Sequence, residues 1–409
     1  MYYYKYCSPG DRQFGMLSRG ELFFASAEEL NDGSECRPRY VLKGSAELWT
    51  RLCEYVLFEL WICQDTGTSA QPSFPKGLRA LSEPLGSALN RRAARRDLDY
   101  DQLWPALLQD LPRLLRGSDL AIPLPALPAL INSVRAGLSR LLHENLYMAC
   151  FSRSPSDPTM WGHYGGAERG FCIIVRAAEN KLRLSSPANL LHGTRPSSSP
   201  GITEIGIYRD AEVQLESVRY RSAPPRINAF HRLIPHFHYS EEEDHYDVPL
   251  LISGGAPDRQ EKLFGLVKAL TWKYEKEARA FLPSNDDLTP EARCLQLNWD
   301  QIQGIIFGPK MSNAHKERTI VSCHLLRAGR SESEPRSSPF IFLNARQRVD
   351  SFQMAVSPVG VLHGYYATRL RPILALRDAD RETVETVRGI VREMENTPDS
   401  IPSKSENEE

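Results

Sequence analysis

Residues 268–279 read Lys-Ala-Leu-Thr-Trp-Lys-Tyr-Glu-Lys-Glu-Ala-Arg, and no other window of the 409 residues packs acid, base and aromatic so closely. On a helix, Lys268, Trp272, Glu275 and Arg279 would share a face; on a strand, Glu275, Glu277 and Arg279 would do so. Either way a carboxylate lies beside a guanidinium. A carboxylate held in place can stabilise a developing positive charge more than it stabilises the ground state. The plain alternative is a solvated ion-pair face contributing a few tenths of a kcal/mol per pair.

Other stretches carry chemistry-bearing types. Residues 159–166, Thr-Met-Trp-Gly-His-Tyr-Gly-Gly, bring Trp161, His163 and Tyr164 together with glycines that let backbone approach a ligand. His231, His236, His238 and His245, interspersed with acids at 241–244, have the types of a metal site, but their spacing matches no ligand motif and no metal is expected. Asp32, Glu35 and Glu275 would serve a metal-dependent nuclease if they converged, which spacing does not establish. The arginines in 91–96 read either as a phosphate patch or as a solvated helix face balanced by Asp97, Asp99, Asp101 and Asp110; the acids favour the solvated face.

The elements that must position these groups point to an α+β fold with a central mixed or antiparallel sheet. Aromatic residues 2–6 read as a strand, followed by a turn, a short helix to residue 19, a strand over 21–26 and a polar Asn31-Asp32-Gly33 corner. Helical periodicity over 45–64, 103–115 and 127–146 marks residues 44–146 as a helical insertion, with a Gly/Ser/Pro-rich loop over 66–86. Short apolar runs at 147–152 and 170–176 read as buried strands. Residues 184–258 form a loop-rich insertion with strand alternation at 212–220, and 258–270 an amphipathic helix. Strands are expected over 275–282, 293–299 and 302–308, and a helix over 313–328. This gives a core domain over 1–328, a linker at 329–338, a small C-terminal extension at 339–395 (strands 340–343 and 351–356, helix 380–394) and a disordered acidic tail at 396–409.

Lys plus Arg (50) and Asp plus Glu (51) nearly cancel, so net charge does not indicate nucleic acid or an anionic membrane as the main partner. Eight cysteines without a Cys-x-x-Cys pair fit a reducing cytoplasm, and neither a signal peptide nor a membrane span is expected.

Five pieces in order carry a resemblance: Tyr4-Lys5-Tyr6; residues 22–26, Leu-Phe-Phe-Ala-Ser, with Asn31-Asp32; Cys150-Phe151-Ser152; Met160-Trp161-Gly162-His163-Tyr164 with Gly170; and Lys268, Trp272, Tyr274-Glu275-Lys276-Glu277 with Arg279. Together they resemble a bacterial family known as domain of unknown function 2971, over residues 2–310 with large insertions. This chain departs from the family in having Gly33 where proline is usual. That resemblance implies no chemistry. The order of Lys5, Ser26 and Glu275-Lys276-Glu277 is also similar to that of ADP-ribosyltransferases, although no full Ser-Thr-Ser occurs. This second resemblance implies an NAD-consuming enzyme, a bacterial toxin or phage-defence effector, with NAD as substrate and no metal required. Glu277 would stabilise the ribose cation and Glu275 orient the acceptor. Arg279 or Lys5 would hold pyrophosphate, and Tyr4, Trp161 or Tyr164 would stack on nicotinamide, with Tyr6, Ser26, Asn31, Asp32 and His163 completing the binding set. The alternative is a non-catalytic nucleotide-sensing or protein-interaction module whose insertions and C-terminal part face a protein partner.

Overall fold

The computed structural model describes residues 1–62, 77–95, 98–116, 124–142, 146–185, 191–196, 203–208, 210–233, 238–240, 245–247, 264–282, 288–328, 339–362 and 374–396. The linker at 329–338, most of the loop at 66–86, His236, the acidic run at 241–244, residues 258–263 of the expected helix and nearly all of the tail lie outside them.

Ten strands make one sheet: β1 (Tyr2–Cys7), β2 (Ala25–Ser26), β3 (Tyr147–Ser152), β4 (Phe171–Arg176), β5 (Glu216–Ser217), β6 (Glu277–Phe281), β7 (Ile302–Phe307), β8 (Ile341–Gln347), β9 (Met354–Val361) and β10 (Leu374–Ala375). They lie side by side as β5-β6-β3-β1-β4-β7-β8-β9-β10, with β2 also on β3. The fold is α+β and the sheet mixed, since β7 and β8 run parallel while the other pairs are antiparallel. A parallel pair needs a crossover, and the helix Asn313–Ala328 lies in it. Residues 339–362, expected as part of an extension, thus continue the central sheet: strand candidates are visible in sequence, but their docking partner is not.

Alternation along β1 places Tyr2, Tyr4 and Tyr6 on one face and Tyr3 and Lys5 on the other. Tyr3 joins a core with Phe151, Phe171 and Phe307. Tyr2, Tyr4 and Tyr6 join Trp161 and Ile174 under the C-terminal helix Arg381–Glu395, which contributes Val387, Ile390 and Met394. A third core belongs to the helices Ala46–Ile62, Gly77–Arg95, Tyr100–Leu115 and Leu127–Leu142, where Leu103, Leu107, Ile131 and Leu138 are fully buried.

One junction in the sheet is incomplete. All of β1 pairs with β4, and all of β6 with β3, yet β1 and β3 meet at Tyr4 and Ser152 alone. Beyond that point the strands part, and Lys5 reaches across so that its Nζ donates to the Cys150 carbonyl at 3.0 Å. The sheet therefore opens into a cleft on the line between its two halves.

Candidate functional site

The cleft holds about 420 Å³, and its walls include Lys5, Arg12, Cys150, His163, Tyr164 and Glu275. That volume is in the usual range for small-molecule sites. Its floor is a cluster of charges from three segments.

The sequence window 268–279 forms neither one helix nor one strand. Lys268 sits on the short strand Val267–Ala269, which runs parallel to Arg219–Arg221, and a 3-10 helix, Leu270–Glu275, follows. Lys276 then adopts φ +46°, a left-handed conformation uncommon outside glycine, before β6 begins at Glu277. The turn is fixed from outside: Ser152 Oγ donates to the Glu275 carbonyl at 2.7 Å, and Arg153 N–H to the Lys276 carbonyl at 3.0 Å. Alternation thus cannot explain why Glu275 and Glu277 face the same ions; the left-handed residue does.

Lys268 Nζ lies 2.5 Å from Glu275, 2.8 Å from Glu35 and 3.4 Å from Glu277. Arg279 grips Glu277 with two N–H groups, at 2.8 and 2.9 Å, pairs with Glu35, and donates to the Gly265 carbonyl at 2.8 Å. All five side chains are buried. Three carboxylates against two cations leave one excess negative charge out of water, which is costly unless a proton or a ligand relieves it.

The two neighbouring carboxylates respond oppositely. Burial, and then repulsion from Glu277, push the Glu275 pKa from 4.5 up to about 7. Burial would raise Glu277 too, but the charges of Arg279 and then Lys268 outweigh it and hold its pKa down at about 2. Glu275 also accepts from Tyr164 Oη at 2.5 Å, and Tyr164 accepts from Asn31 Nδ2 at 2.6 Å. A carboxyl poised near neutrality on the wall of a cleft is suited to acid–base or charge-stabilising work. A carboxylate with both oxygens in a two-point arginine pair is suited to holding the site together.

Of the residues singled out in the sequence, Tyr4, Lys5, Tyr6, Asn31, His163, Tyr164, Glu275, Glu277 and Arg279 all line this cleft. The rings of Tyr4 and Tyr6 are nevertheless core, and Trp161, fully buried, donates its indole N–H to the Pro155 carbonyl at 2.9 Å and is not part of the walls. Ser26 is engaged in a capping box with Glu29, and Asp32 accepts from Ser34 N–H and Oγ; neither lines the cleft. Gly165 and Gly166, read as ligand-approach glycines, serve packing instead: a Cβ would come within 2.7 Å of the Trp161 carbonyl and of Pro9, respectively. Glu35 and Glu275, two of the three carboxylates considered for a divalent ion, do converge, but on the Lys268 ammonium, which occupies the position a metal would need. Among the described residues no group of His, Cys, Asp and Glu is arranged to hold a metal, and no helix is long and apolar enough to cross a membrane.

Lys268 had no site role legible in the sequence, and Glu35 was legible there only as a metal ligand. The excess of unpaired acids in Glu-x-Glu-x-Arg was the one signal that a further cation had to arrive.

Residues 160–280 match a family described as protein of unknown function (DUF2971). The matched segment runs from the helix bearing His163 to β6, and so contains Tyr164, Lys268, Glu275, Glu277 and Arg279. No curated protein and no solved structure matches the chain.

Proposed function

We propose that the cleft is the active site of an NAD-consuming enzyme of ADP-ribosyltransferase type, in which Glu275 stabilises the ribose cation. The observation that carries this reading is the position of Glu275: on the cleft wall, raised to about 7, and steered by Tyr164 and Lys268. Breaking the bond between ribose C1′ and the nicotinamide nitrogen sends the electron pair to the ring, which leaves neutral, while positive charge builds on the ribose until water or an acceptor group adds at C1′ and gives up its proton to solvent. An ionised carboxylate in a dry site opposes that charge more strongly than water does. The roles drawn from the sequence are exchanged: Glu275 meets the reacting sugar, and Glu277 anchors Arg279 and Lys268. Arg279 is fully engaged within the floor by Glu277, Glu35 and the Gly265 carbonyl, which leaves Lys5 as the residue for the phosphates.

The test is nicotinamide release from NAD by the full chain. Glu275→Gln keeps the shape and removes the excess charge, so it should fold and lose about 10²-fold or more in kcat. Because Glu275 must be ionised, kcat in the wild type should rise through about pH 7. Unchanged turnover in Glu275→Gln would overturn the assignment.

One observation favours a second reading, a nucleotide sensor without turnover. Both oxygens of Glu275 already have short partners, Tyr164 and Lys268, each at 2.5 Å, as in a site built to hold rather than to react. Saturable NAD binding with no nicotinamide release would establish it.

A further inference from the structure

Beside the cleft, three aromatic rings stand together without being buried. His163 is exposed and Trp272 and Tyr274 are half-exposed, although they flank the buried Glu275 and Lys268. Their ring centroids lie 6.0–6.4 Å apart, with His163 inclined at 67° to Trp272 and 72° to Tyr274. Two contacts tie them to one another and to the ion cluster. His163 Nδ1 and Tyr274 Oη share a hydrogen bond of 3.0 Å, and the Lys268 ammonium sits 4.8 Å from the centre of the Trp272 ring. A tryptophan with one face held by a buried cation keeps surface for a planar partner, and stacking on a fixed ring costs little ordering on binding. His163 is also a wall of the cleft, so the rings and the cleft are continuous.

The cleft carries a second, independent feature. Of the cations near its mouth, Arg19 is paired with Glu21 and Arg293 with Glu29. Lys5 and Arg12 are different: Lys5 donates to the Cys150 carbonyl and lies over Phe151, Arg12 lies over Phe23, and among the described residues neither has a carboxylate partner. The glutamates that line the cleft have their own cations, Glu21 and Glu29 in Arg19 and Arg293 and the floor carboxylates in Lys268 and Arg279, so Lys5 and Arg12 are the wall cations left to meet an anionic group such as phosphate.

We infer that Trp272, buttressed by the inclined rings of His163 and Tyr274, is a base-stacking platform, and that the ligand is a nucleotide whose base stacks on Trp272 while its phosphates meet Lys5 and Arg12. The inference deepens the reading of the cleft as a nucleotide site but does not need turnover. The platform also explains why a tryptophan is left half-exposed directly over the ion cluster: a stacked base would shield Lys268 and, through it, Glu275 from water.

Titration of the full chain with ADP, followed by calorimetry and tryptophan fluorescence, tests this. ADP should bind saturably and more weakly as salt is raised. Trp272→Leu should weaken ADP binding about tenfold or more, as expected for loss of a base–aromatic stack, whereas Trp272→Phe, which keeps a ring, should stay within about threefold. Lys5→Gln should weaken ADP but not adenosine. Absence of saturable ADP binding, or Trp272→Leu binding as tightly as wild type with an unchanged Tm, overturns the inference; so does binding of a single-stranded oligonucleotide in preference to ADP. The two readings separate cleanly. ADP binding lost in Trp272→Leu, without nicotinamide release by the wild type, keeps the platform and sinks the enzyme. Turnover of NAD with an unaltered KM in Trp272→Leu does the reverse.

Discussion

In the helical unit over residues 46–142, Leu103, Leu107, Leu111 and Leu138 fill the interior, while Arg51, Arg92 and Arg135 pair with Glu47, Asp110 and Asp101 at or near the surface. In the cleft floor the placement inverts: Lys268, Arg279, Glu35, Glu275 and Glu277 are inside, with side chains at most 6% exposed. One chain thus follows the usual rule in one region and breaks it in another. Burying charges is no route to stability, because well-packed apolar residues generally do as well or better. The floor is therefore where the fold gives up stability to hold two neighbouring carboxylates, one with its pKa raised and one with its pKa lowered, and the helical unit shows the ordinary arrangement in the same chain.

The sharpest way to break this contrast is Arg279→Leu. It leaves Glu277 and Glu35 facing Lys268 alone, and the buried excess grows from one negative charge to two. A loss of about 3–5 kcal/mol is expected in urea unfolding. If Arg279→Leu were neutral, the floor would be wet and the contrast false.

Next in size is the pH dependence that Glu275 imposes. Its pKa is higher folded than unfolded, so the folded state favours the proton. The resulting stability is fully present below pH 4.5 and is lost as pH rises through about 7. Glu277 has the opposite sign: its contribution is present above pH 4.5 and is lost as pH falls towards 2. Wild type should therefore lose up to about 3 kcal/mol relative to Glu275→Gln between pH 4.5 and 7. Parallel unfolding curves for the two proteins across that range would show that Glu275 does not titrate there.

Gly86→Ala probes the helical unit in its own terms. A Cβ at Gly86 would lie 2.8 Å from the backbone of Thr50, so the helices Gly77–Arg95 and Ala46–Ile62 would have to separate. A loss of about 1–3 kcal/mol is expected. Ligand binding in the cleft should be unaffected at temperatures where the variant is folded, since this strain touches none of the cleft's walls.

What was legible in the sequence follows the same divide. The helical unit announced itself because apolar periodicity is a local property, and β3 and β4 did so through short apolar runs bounded by turn residues. The grouping of Glu275, Glu277 and Arg279 was legible too. Its geometry was not, because it depends on a left-handed Lys276, a conformation for which lysine carries no signal, and on Glu35, which meets Arg279 across 244 residues. Lys268 looked like a helix end and proved to be a strand residue paired with Tyr220. The strands after residue 340 were visible as strands, but nothing local told that they would dock on β7.

The smallest expected effect closes the comparison. Arg92 and Asp110 link the helices Gly77–Arg95 and Tyr100–Leu115 at 3.1 Å, with the Arg92 side chain 38% exposed. It belongs to the arginine run that the neighbouring acids marked in the sequence as a solvated face rather than a phosphate patch. As a solvated pair it should contribute about 0.2–1 kcal/mol, and less in 1 M salt. Arg92→Ala should therefore shift the urea midpoint slightly, and the shift should shrink with added salt. Arg279→Leu should keep nearly its full cost in the same salt, because counter-ions screen side chains that are at most 6% exposed far less than surface ones. Equal salt sensitivity of the two variants would mean that both arginines sit in the same dielectric, and the distinction between the two regions would collapse.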